Sequence, residues 1–70
     1  MQRDDLVHML GQIAAYYAAY PEAEAIEGVR SHLLRFWSPT MRSQLAGLRT
    51  DPRLHPLARA AILRLTTPAA

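Results

Sequence analysis

Three histidines, six carboxylates and eight arginines are the side chains of this 70-residue sequence that could do chemistry. His8, His32 and His55 stand far apart along it. None has a second His or an acid three or four residues further on, the spacing that puts two metal ligands on one helical face. There is no Cys, which excludes a thiolate zinc site, a thiol nucleophile and a disulfide. Glu22, Glu24 and Glu27 crowd one helix start, where the helix dipole is reason enough for them. Gly11, Gly28 and Gly47 are isolated, so no glycine-rich loop can cradle a phosphate. Catalysis needs convergent polar groups with tuned ionisation. None is visible, and the expectation is a chain that is not an enzyme, with no cofactor or metal of its own.

The arginines suggest contacts instead. Residues 1–27 carry Arg3 against five acids, a charge of −4, whereas residues 28–70 carry seven Arg against Asp51, a charge of +6. Every basic residue is Arg, which suits forked contacts with carboxylates and stacking on aromatic rings. Nucleic-acid binding is the weaker reading. The arginines spread over three helices and a turn rather than clustering on one recognition helix.

Length points the same way. A core in a chain this short rarely supplies more than about 3–5 kcal/mol, and small domains usually add a disulfide, a metal or a partner. With Cys absent, a partner is the expectation, either another protein or a second copy when the chain is isolated. No run approaches the roughly 20 apolar residues of a membrane span. The start, MQRDDL, has no signal-peptide character, so a cytoplasmic protein is expected.

The elements that must position these residues are helices. Leu6, Met9, Leu10, Ile13, Tyr17 and Tyr20 recur at spacings of three and four, predicting a first helix over about 5–19 capped by Asp4 or Asp5. Tyr17 and Tyr20 continue its apolar stripe and are placed in the core, with Tyr16 as a shoulder rather than a stacking platform. Tyr20-Pro21 ends this helix and Pro21 opens the next, about 22–37. Ser38-Pro39 stops that one and starts a third, about 39–49, with Ser38 as N-cap. Thr50-Asp51-Pro52 is a turn, and a fourth helix covers about 55–65. The predicted fold is a single all-α domain over residues 1–70, a small bundle of four short helices.

One stretch stands out, His32–Arg42, HLLRFWSPTMR, which holds the only Phe and the only Trp. On a helical wheel Ile26, Val29, Leu33, Leu34, Phe36 and Trp37 fill an arc of about 160°, wider than one packing seam. Arg30 projects inside that arc and must snorkel or find a counter-charge. The surplus suggests a docking face built from Phe36, Trp37, Pro39, Met41 and Arg42, flanked by Arg30 and Arg35. Trp and Arg are enriched at binding hot spots.

The same block carries a family resemblance. Arg35, Phe36, Trp37, Pro39, Met41 and Arg42, preceded by His32 and Leu33, resemble the delta subunit of soluble NAD-dependent formate dehydrogenases. The LVHMLGQIAAYY and LARAAILRL segments extend the likeness over about residues 6–65. Ser38 stands where that pattern has an acid and Thr40 where it has a base. The resemblance implies an accessory subunit that binds the large catalytic subunit and supports assembly, stability or cofactor loading. It implies a molybdenum pterin, iron–sulfur clusters and FMN in the partner subunits and none in this chain. A transient maturation chaperone for the same enzyme is the alternative it leaves.

Overall fold

A computed structural model of the chain describes residues 2–66, with side chains through Leu65. It holds α1 (Arg3–Tyr17), α2 (Glu22–Phe36), α3 (Pro39–Arg42), α4 (Leu45–Leu48) and α5 (Pro56–Thr66). The all-α expectation holds, and α2 is the central element, packing chiefly on α5 and then on α1.

Leu6, Leu10 and Ala14, one turn apart, are the buried line of α1. This helix starts and stops two residues earlier than its pattern predicts. Gln2 is the N-cap without a side-chain bond, and Asp4 and Asp5 sit in the first turn, where they still favour the positive helix end. Beyond Tyr17 the chain tightens into a turn, the Ala18 N–H donating to Ala15 O at 3.3 Å and the Tyr20 N–H to Tyr17 O at 3.0 Å. Tyr20 is thereby thrown off the helical stripe. It is exposed rather than in the core.

Ala25, Ile26, Val29 and Leu33 bury the inner face of α2. Across from them, α5 offers Ala58, Ala61 and Ile62, all fully buried. The two alanines cost no side-chain entropy on ordering, and their small volume lets the helices approach closely. His55 caps α5, its Nδ1 accepting the Leu57 N–H at 3.1 Å while its carbonyl accepts the Arg59 N–H at 3.0 Å.

The expected third helix is two single turns. Ser43 donates its hydroxyl to the Thr40 carbonyl at 2.6 Å, the acceptor that the Gln44 N–H would use in a continuous helix. The Gln44 N–H turns instead to Met41 O at 3.2 Å, and the helix breaks there. Leu45 and Leu48 nonetheless reach the core.

Asp51 ties the first turn of α1 to the turn that leads into α5. It is the one buried charged residue described, 6% exposed. Its Oδ1 accepts the Arg53 N–H and Nε–H at 2.9 and 3.1 Å, and its Oδ2 accepts Nη2–H at 2.9 Å. Arg53 continues to Asp4 on α1 at 2.7 Å, and Arg3 lies 3.6 Å from Asp51 Oδ2. From α5, Arg59 donates to the carbonyls of Arg49 and Asp51 at 3.0 and 2.8 Å. The forked Arg53 side chain and then its backbone N–H hold the Asp51 carboxyl far below the ordinary value, and the same carboxylate raises the Arg53 guanidinium further.

Candidate partner-binding surface

The corner between α2 and α3 sorts the two adjacent aromatics by backbone geometry. Phe36 is the last residue of α2; Trp37 leaves the helix with φ −90° and ψ 133°. That extended step turns the Trp37 side chain inward, while its N–H still donates to Leu33 O at 3.2 Å. Trp37 is 4% exposed and belongs to the core cluster, and Phe36 is 72% exposed. The expectation that both rings form the docking face is corrected for Trp37. The wide arc splits at the helix end, so one ring closes the core and the other stands outside.

Ser38 then opens α3 as the sequence predicts. Its Oγ accepts the Met41 N–H at 3.2 Å, its carbonyl accepts the Arg42 N–H at 2.9 Å, and Pro39 fills the first turn. Pro39 is exposed, whereas Met41 is half-buried against the core and Arg42 is half-buried. Arg35 is exposed. Arg30 finds the counter-charge its position demands, donating to Glu27 at 3.0 Å one turn earlier. Neither Arg35 nor Arg42 has an ion-pair partner among the described residues. The solvent-facing set is therefore Arg35, Phe36 and Pro39, with Arg30, Met41 and Arg42 at its inner edge.

Phe36 leads to a second feature. Its ring rests on His32 one turn back, centroids 4.8 Å apart. His32, with Gln12, Ile13, Tyr16 and Tyr17, lines an open groove of about 420 Å³ between α1 and α2. Tyr16, 69% exposed, meets Tyr17 edge-on at 5.0 Å and 83°. Periodicity alone places Tyr17 on the core stripe, and it is half-buried there, but the groove needs the crossing of two helices and escapes a reading of either one. The i, i+4 pair His32 and Phe36 is the local signal for it.

Among the described residues no three His, Asp or Glu side chains gather where a metal ion could be held. No described helix is long and apolar enough to cross a membrane. The described residues form a small all-α fold that presents an aromatic corner at Phe36 and an aromatic groove between α1 and α2. Residues 5–62 match the family described as NADH-dependent formate dehydrogenase delta subunit, FdsD, and the chain belongs to that family. No curated protein and no solved structure matches it.

Proposed function

We propose that this chain is a non-catalytic accessory subunit of a cytoplasmic, molybdenum-containing, NAD-dependent formate dehydrogenase. It binds the large catalytic subunit through the α2–α3 corner and supports assembly, stability or cofactor loading. Oxidation of formate and reduction of NAD fall to other subunits, which carry the molybdenum pterin, the iron–sulfur clusters and FMN. The observation that carries this reading is Phe36. A ring 72% exposed at the Ser38-capped corner, beside an Arg35 without an ion-pair partner among the described residues, pairs the residue types enriched at protein interfaces. Membership of a delta-subunit family supports a partner among the other subunits of a formate dehydrogenase.

The test is association of the full chain with the large catalytic subunit, measured by calorimetry. Wild type binds, and Phe36→Ser weakens binding at least tenfold while the far-UV spectrum is unchanged. No association of the wild-type chain sinks the reading. Purification of the active enzyme decides between a permanent subunit and a transient maturation chaperone. The former travels at fixed stoichiometry, and the latter is found only on the large subunit before its cofactor is inserted.

A further inference from the structure

We propose that the groove between α1 and α2 is a second docking element, which takes one amphipathic segment of the large catalytic subunit. An apolar side chain of that segment fills the groove and a carboxylate faces Arg35. The proposal rests on the functional reading above and extends it to residues of α1.

The groove is built before anything binds. Tyr17 lies flat over Gly28, where a Cβ would come within 2.5 Å of its ring, and Tyr16 meets Tyr17 edge-on. Walls already ordered lower the cost of binding. About 420 Å³ lies near the small end of the range for ligand-sized pockets, room for one or two side chains. Rings and Ile13 form most of the wall, with the Gln12 amide and the His32 imidazole as polar handles.

Charge sets the kind of segment. Glu24, Gly28, Ser31 and Arg35 follow at spacings of four, three and four, which puts them on one line along α2. Glu24 and Arg35 end that line, both exposed and both without an ion-pair partner among the described residues. Their separation along the helix is about 16 Å, the length of roughly five extended residues. A peptide segment spans that distance and a small metabolite does not. A segment with its acid at Arg35 and a base toward Glu24 is complementary, and the opposite orientation sets like charges together.

Titration of the full chain against the large catalytic subunit tests this with Tyr16→Ser, Arg35→Glu and Phe36→Ser. Tyr16 is exposed, so its replacement leaves the core intact, and the far-UV spectrum checks each variant. The expected result is at least a tenfold loss for Tyr16→Ser, and a loss for Arg35→Glu that shrinks as salt is raised. If wild type fails to bind, the functional reading and this one fall together. If Phe36→Ser weakens binding while Tyr16→Ser stays within twofold of wild type, the groove proposal alone is overturned. A loss at Tyr16 without a salt-dependent loss at Arg35 overturns the acidic occupant. Light scattering on the isolated chain covers the remaining occupant: a dimer dissolved by Tyr16→Ser makes a second copy the groove's partner and overturns the proposal.

Discussion

The ring of Tyr17 occupies the space in which residue 28 would carry a side chain. A Cβ at Gly28 would lie 2.5 Å from both Cδ1 and Cε1 of that ring. Helix α2 therefore accepts a glycine in its interior, at a cost of about 1 kcal/mol against alanine, in return for a flat seat for a tyrosine. The ring is also braced by Tyr16 at 5.0 Å and Tyr20 at 5.9 Å, so it does not swing away freely.

Gly28→Ala sets these two effects against each other. Helix propensity favours alanine by up to about 1 kcal/mol, and overpacking typically costs about 1–3 kcal/mol. The clash is with a braced ring, so a net loss of about 1 kcal/mol is expected by urea denaturation. In a Tyr17→Ala background the sign reverses, and Gly28→Ala stabilises by about 0.5–1 kcal/mol. A stabilising effect in the presence of Tyr17 would refute the seat.

Neighbouring aromatics give the sharpest contrast in stability. Trp37 is buried and its truncation to Ala should cost about 3–5 kcal/mol, comparable to all that a core of this size supplies. Phe36→Ala, at an exposed position, should shift stability by no more than about 0.5 kcal/mol. Thermal melts followed by circular dichroism should show Trp37→Ala unfolded or nearly so and Phe36→Ala melting like wild type.

Acid should loosen the molecule through Asp51. Its folded-state pKa lies well below the ordinary 3.8 because Arg53 holds the ionised form. A depressed carboxylate contributes stability that is fully present above about pH 4 and is lost as pH falls below that value. Asp51→Asn should lower the melting temperature at pH 7 and flatten its dependence on pH between 5 and 2. Asp4→Asn, which removes only the exposed end of the Arg53 network, should do far less. Parallel acid dependences for wild type and Asp51→Asn would show that another group governs acid unfolding.

At α5 the cap is an imidazole. His55→Ala removes the acceptor for the Leu57 N–H and should cost about 1 kcal/mol, whereas His55→Asn keeps an acceptor in place and should retain most of it. Denaturant midpoints at neutral pH compare the two. Equal losses for both substitutions would remove the cap from the account of α5.

Local chemistry was legible in this sequence wherever the deciding partner lies within one turn of helix. The spacing of Leu6 and Leu10 and the Ser38-Pro39 start follow from backbone rules that act over three or four residues, whereas α1 ends at Tyr17, short of Tyr20-Pro21, and Ala14 joins its buried line from outside the apolar stripe. The all-α class and the family likeness in residues 35–42 rest on the same kind of information. The break at Ser43–Gln44 is also local, but it turns on which of two donors takes the Thr40 carbonyl, a competition composition does not decide.

Tertiary structure decided the rest, because the interactions join residues distant in sequence or depend on a single backbone step. An arc holding Phe36 and Trp37 says that both are surplus to one seam; only the extended turn at Trp37 says which ring goes inside. Asp51 reads as an ordinary turn residue until Arg3 and Asp4 arrive from the far end of the chain and Arg59 from α5. Gly28 reads as a weak point in a helix until Tyr17 is laid across it. The helices were written in periodicity, and their surfaces came into being only where two of them cross.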